Sequence, residues 1–108
     1  MESVLIVCGA GASSTFLASR LRSLAAIRGL DLTVVAASDN ELGSRLHTAS
    51  VLLVGPHLVG SFGDLEVEAA LFGVPAALLP STVFGPGGAE QAIDIVASLV
   101  SLTPKPAA

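Results

Sequence analysis

The chain has 108 residues, 52% of them apolar, with no Trp or Tyr and a formal charge of −4 from five basic and nine acidic side chains. One domain of this size buries roughly 65% of the surface its unfolded chain exposes, so a core forms without metal or disulfide staples; no metal and no cofactor is expected. The acidic balance lacks the basic stripe that a nucleic-acid partner requires, the single cysteine, Cys8, excludes an internal disulfide and suits a reducing compartment, and the short apolar start with no positive n-region reads as neither a signal peptide nor a membrane span, which predicts a cytoplasmic protein.

Residues 3–8 (SVLIVC) are a continuous apolar run rich in β-branched side chains and predict a fully buried parallel strand. Residues 13–29 predict a helix: Leu17, Leu21 and Leu24 recur on one face, with Arg20 and Arg22 on an exposed one. Ser13 or Ser14 is suited to cap its start, and Gly29 to end it. Residues 31–37 (DLTVVAA) predict a second strand, followed by the cap cluster Ser38, Asp39 and Asn40 and a short helix to about His47. Residues 50–54 (SVLLV) predict a third strand, stopped by Gly55 and Pro56. Residues 58–72 predict a helix weakened by Gly60 and Gly63. A short fourth strand follows Pro75 and ends at Pro80, residues 81–88 are loop, and residues 89–102 predict a closing helix with Ile93, Val96 and Val100 on one face. Residues 1–102 form the expected single domain, and residues 103–108 (TPKPAA) a frayed tail.

Buried strands alternating with helices imply an α/β fold with a parallel sheet covered on both faces. Ligands of such sheets bind at the carboxyl ends of the strands. The loop after Cys8 sits on that edge, as do Ser38 and Asp39, the Gly55-Pro56-His57 turn, and Pro80, Ser81 and Thr82.

The stretch CGAGASST, residues 8–15, is where chemistry is expected. A strand that turns through glycines into a helix aims several backbone N–H groups at one point, and the helix terminus adds partial positive charge there. Gly9 and Gly11 allow successive amides to face an anion. Ser13, Ser14 and Thr15 add hydroxyl donors. A cysteine at a helix N-terminus is biased toward its nucleophilic thiolate, so Cys8 is a candidate acceptor of a phosphoryl group whose oxygens the loop then holds. The competing reading is a small hydrophobe completing a strand.

Other phosphate loops fit the letters less well. A nucleotide P-loop requires Gly-Lys-Ser/Thr, and no Lys is present here. The dinucleotide fingerprint has Gly9 and Gly11, but Ser14 replaces its third glycine; Asp39, near the second strand tip, keeps a nucleotide-binding regulatory module open as an alternative. A cysteine phosphatase loop places Arg where this chain has Ser14, so the clamp for transferred charge is missing and hydrolysis is disfavoured.

The stretches VLIVCGAGASST, ASVLLVGPHLV and VPAALLPSTVFGPGGAEQAIDIVASL resemble the IIB component of the bacterial phosphoenolpyruvate-dependent sugar phosphotransferase system, of the lactose/cellobiose (chitobiose) type, over roughly residues 2–102. Members of that family carry a loop of the form C-x-A-G-M-S-T-S and a later L-L-G-P-Q-[IV] segment. The resemblance implies a four-stranded parallel sheet in the order 2-1-3-4, in a flavodoxin-like or phosphotyrosine-phosphatase-like three-layer sandwich. It implies that Cys8 is phosphorylated and that Gly9, Ala10, Gly11, Ala12, Ser13, Ser14 and Thr15 form the phosphate loop. It further implies a phosphohistidine IIA donor, a membrane IIC partner whose bound sugar receives the phosphate, and a monomer that docks transiently. Two positions depart from the pattern: Ala12 replaces the usual Met, and His57 the usual Gln after Gly-Pro. The galactitol and ascorbate IIB groups also begin their loop with Cys-Gly, so the subgroup and the sugar stay open.

His57 is a candidate phosphate neighbour or proton relay, weighed against a plain surface histidine. His47, Asp64, Glu66 and Glu68 read as solvated, and Asp39 as a helix cap.

Overall fold

The computed structural model describes residues 2–8, 11–38 and 41–101. Strands β1 (Glu2–Val7), β2 (Leu32–Ala37), β3 (Val51–Val54) and β4 (Ala76–Leu78) pair in parallel in the order β2-β1-β3-β4. Helices α1 (Gly11–Arg28), α2 (Leu42–Arg45), α3 (Phe62–Ala70) and α4 (Gly88–Leu99) alternate with them. This is the fold class and strand order that the sequence implied.

Two cores, one on each face, follow from the period of two along each strand. Val4, Ile6 and Cys8 of the first strand run, with Val51 and Leu53, face a layer built by Leu17, Ala18 and Leu21 of α1 and Ala92, Ile93 and Val96 of α4. The residues between them, Leu5, Val7, Leu52 and Val54, face Leu42, Leu46, Ala69 and Val74. The four residues of β3 and the last four of β1 are all buried, as expected of strands covered on both sides.

Several boundaries differ from the expectation. α1 starts at Gly11, two residues before the predicted start, so Ser13 and Ser14 lie inside its first turn and not at the cap. Its other end is as expected: Gly29 takes φ +65°, Leu30 N–H donates to Ala25 O (2.9 Å) and Gly29 N–H to Ala26 O (3.2 Å), which closes a Schellman motif. The predicted helix over 58–72 is divided. Pro56–Ser61 is 3₁₀, Leu58 leaves the helical region (φ −100°, ψ 21°), and the α-helix proper begins at Phe62. Pro56 fixes the first φ of that turn and the glycines that follow give little reason to propagate it. β4 ends at Leu78. Leu79 N–H still donates to Val54 O (2.8 Å), but Pro80 has no N–H to continue the ladder. The predicted loop 81–88 contains a 3₁₀ turn, Ser81–Phe84.

Of the two arginines expected on an exposed face, Arg22 is exposed and Arg20 half-buried, and both side chains are engaged. Arg20 lies over the Phe16 ring (5.6 Å to the centroid) and donates to Gly85 O (3.2 Å). Arg22 donates from both Nε (3.0 Å) and Nη2 (2.8 Å) to Val34 O of β2. His47 is exposed as expected, with its ring edge-on to Phe72 (4.7 Å between centroids). Asp39, Asn40 and the tail 103–108 lie outside the described residues.

The entry to α4 is set by one close approach. A β-carbon on Gly88 would overlap the Val83 carbonyl, backbone that cannot turn aside as a side chain can. Gly88→Ala is expected to lower stability by about 1–3 kcal/mol through overpacking, read from the urea midpoint at unchanged m-value.

Candidate functional site

β1 delivers Cys8 to the carboxyl edge of the sheet, one residue past its last paired position. Because α1 begins at Gly11, the turn between them is only three residues from the cysteine to the first helical residue. The first four N–H groups of a helix have no carbonyl within the helix to accept them, so the start of α1 brings amides without helical partners to the end of the cysteine strand. Gly9 and Ala10 lie outside the described residues, as do the side chains of Ala12 and Ser13. Gly11 is placed by its backbone as the first residue of α1.

Cys8 is itself buried, at 2% exposure, and its side chain belongs to the core on the α1/α4 face. Cys8 thus completes a buried strand run and stands where that strand meets the start of α1.

Ser14 departs from the expected role of cap. At 1% exposure it is the buried polar side chain among the described residues, and its Oγ accepts the Cys8 N–H at 3.1 Å. The hydroxyl keeps its own proton for donation. Thr15, the next residue, is exposed.

Gly55, expected as a strand stop on the same edge as Cys8, packs closely against the cysteine. The β1–β3 register pairs Val4 with Val51 and Val7 with Val54. One step further sets Gly55 beside Cys8, and Gly55 N–H donates to Val7 O at 2.7 Å. A β-carbon on Gly55 would lie 2.8 Å from Cys8 Sγ, 2.9 Å from its Cα and 3.0 Å from its Cβ. Continuing the register of two predicted strands would have found this neighbour.

His57 lies two residues beyond Gly55 on the same edge. It is exposed, with its ring 5.9 Å from that of Phe84, centroid to centroid. The structure gives it no bond to Cys8.

A small open cleft of about 110 Å³ adjoins the start of α1, walled by Ser14, Thr15, Ala36, Ala37, Ser38 and Glu41. Cys8 is not among its walls. Its acidic side is held by a local turn: Glu41 N–H donates to Ser38 O (3.0 Å), while Ser38 N–H and Oγ–H donate to Glu41 Oε1, each at 3.1 Å. Arg45 adds a contact to Oε2 at 3.4 Å. The Ser38 N–H bond, then the Ser38 hydroxyl and Arg45, hold the exposed Glu41 carboxyl below its usual range. A carboxylate on this wall makes the cleft a poor seat for a second anion.

The family model for the lactose/cellobiose-specific IIB subunit of the PTS matches residues 3–84. The chain belongs to that family. It is 31% identical over 87 residues to the galactose-specific EIIB component of the PTS in Lactococcus lactis subsp. cremoris, covering 76% of this chain and 81% of the relative. The cellobiose-specific EIIB component of Lactococcus lactis subsp. lactis matches to the same extent. The oligo-beta-mannoside-specific EIIB component of Bacillus subtilis is 20% identical over 100 residues, 93% of this chain and 97% of that one. Among solved structures, the lactose-specific IIB domain of Streptococcus pneumoniae superposes with a TM-score of 0.76 at 14% identity, over 93% of this chain and 98% of that one. The cellobiose-specific IIB protein of Borrelia burgdorferi gives 0.73 at 22%, over 91% and 90%. This IIB chain is thus a component of a sugar phosphotransferase system, a family of phosphotransferases that works with IIA and IIC components. Among the described residues no helix is long and apolar enough to cross a membrane.

Two outcomes are expected at this edge. Ser14→Ala leaves the buried Cys8 N–H without its acceptor and is expected to cost about 1–3 kcal/mol in denaturant unfolding. Glu41 has a folded pKa below its ordinary 4.5, so its contribution is complete above that value and is lost as the pH falls through the lowered one. The wild type is therefore expected to lose more stability than Glu41→Gln between about pH 6 and pH 3, compared by urea midpoints at each pH.

Proposed function

We propose that this IIB chain carries a phosphoryl group on Cys8 between a IIA protein and a sugar held by a membrane IIC component. The Cys8 thiolate attacks the phosphorus of a phosphohistidine on IIA; the S–P bond forms, the N–P bond breaks, and the imidazole leaves with the electron pair and takes up a proton. A hydroxyl of the IIC-bound sugar then attacks the same phosphorus. The O–P bond forms, the S–P bond breaks, the hydroxyl proton passes to solvent, and the thiolate is restored. The alternation of attack and departure on one sulfur requires a good nucleophile that is also a good leaving group, and a thiolate is both.

The observation that carries this reading is the position of Cys8: the single cysteine of a IIB-family chain stands three residues before the N-terminus of α1 on the ligand-binding edge of the sheet. Residues 9–15 hold the phosphate oxygens, chiefly by backbone amides, with Ser13, Ser14 and Thr15 as hydroxyl donors. No Lys or Arg occurs between residues 8 and 19, so negative charge is met by dipoles rather than by a fixed cation. Such a cradle stabilises the phosphorylated state without a guanidinium to drive hydrolysis, which suits a carrier better than a phosphatase. The protein acts in the cytoplasm as a monomer that meets each partner in turn.

The sugar follows from the IIC partner. The relatives' names, for galactose, cellobiose and oligo-β-mannosides, give the first panel to try. Incubation with phosphoenolpyruvate, the general phosphotransferase proteins and a IIA protein is expected to add one phosphoryl group by intact mass. The adduct should survive acid conditions that hydrolyse phosphohistidine and be absent in Cys8→Ser. Absence of an adduct with IIA proteins of the galactose, cellobiose and oligo-β-mannoside systems would overturn the proposal.

A further inference from the structure

We infer that Ser14 and Gly55 are positioning residues that hold the Cys8 thiol in place from opposite sides, one from the first turn of α1 and the other from the end of β3. The inference deepens the phosphocarrier reading and rests on it for its consequence in catalysis, but its geometry stands independently.

The peptide group joining Val7 to Cys8 is engaged at both ends. Its carbonyl accepts the Gly55 N–H at 2.7 Å, and its N–H donates to Ser14 Oγ at 3.1 Å. These partners come from different elements, so the plane of the peptide is fixed relative to sheet and helix together. Sγ is then limited by contact: the space that a β-carbon of residue 55 would fill lies 2.8 Å from it. Gly55 has φ −64° and ψ 152°, ordinary extended backbone, so its glycine is explained by this contact and not by its dihedrals.

The arrangement gives Ser14 a task beyond the phosphate loop. Its oxygen accepts from the cysteine amide, which removes that amide from the set available to an anion. Its buried position, at 1% exposure, suits a fixed buckle between strand and helix. A nucleophile held this way meets the phosphorus along one line, and small displacements from such a line are costly to rate.

The test pairs two readouts that a general loss of stability moves differently. Alkylation of Cys8 by iodoacetamide, followed by intact mass in native buffer, is compared in wild type, Ser14→Ala, Gly55→Ala and Val74→Ala. The last variant trims the opposite core. Rates are compared after correction for the globally unfolded fraction of each variant. Ser14→Ala and Gly55→Ala are expected to alkylate about ten-fold faster than wild type, the first because the Cys8 N–H loses its acceptor and the second because the added β-carbon displaces the sulfur from its packed place, while Val74→Ala stays near the wild-type rate. The initial rate of phosphoryl uptake from phospho-IIA is expected to fall about ten-fold or more in the same two variants. Ser14→Thr, which keeps the accepting oxygen, is expected to restore slow alkylation. Ser14→Ala adds no atom, so it decides the question even where Gly55→Ala does not fold. If Ser14→Ala alkylates at the corrected wild-type rate, the positioning role is overturned. If instead the wild type takes up no phosphoryl group while the alkylation contrast holds, the carrier reading falls and the positioning stands.

Discussion

The fold turns on one peptide group, the link between Val7 and Cys8. Its carbonyl bonds to the end of β3 and its N–H to the first turn of α1. Hydrogen bonds to backbone in β-sheets are ordinary; one whose two ends are taken by separate elements is a joint. Through it the position of a sulfur atom is made to depend on the register of the sheet and on where the helix begins. The central place of β1 in the order β2-β1-β3-β4 makes this possible, because a strand with neighbours on both sides cannot shift without disturbing both.

The burial of Cys8 and its proposed chemistry are then parts of one arrangement. The residue continues the alternation of Val4 and Ile6 into the core that α1 and α4 close, so its side chain is packed as an apolar one would be. Its backbone is at the carboxyl edge of the sheet, where folds of this class bind their ligands. A cysteine satisfies both demands because it is small and apolar when protonated and a strong nucleophile when not. Serine at this position would bring a hydroxyl into an apolar layer, and alanine would bring no chemistry.

Much of this was legible in the letters. The apolar runs VLIV and VLLV read as strands buried on both faces, and they are, with the glycine-hydroxyl stretch following the end of the first. The likeness to the IIB family added the strand order. What could not be read locally were effects that depend on contact between distant segments. Ser14 looked like a helix cap because hydroxyls often are; its bond to Cys8 needs the end of β1 to be in place first. Gly55 looked like a strand stop because it precedes Pro56, and only the parallel register sets it against Cys8. Arg22 stands on the exposed face that helical spacing assigned it, but spacing knows nothing of the carbonyl on β2 that it also reaches. Ser38 was read as part of a cap cluster, and only its partner Glu41, three residues on, went unnamed, although that spacing is itself a local signature.

The fork of Arg22 onto Val34 has a consequence for the company the molecule keeps. An open sheet has two borders, and each is a template on which a foreign strand can add. Here one border, β2, has a carbonyl occupied by a guanidinium from its own helix, and the other, β4, is three residues long and flanked by Pro75 and Pro80. Both borders are blunted against self-templated growth. In a chain that is more than half apolar, these two devices remove the strand templates on which like chains most readily add.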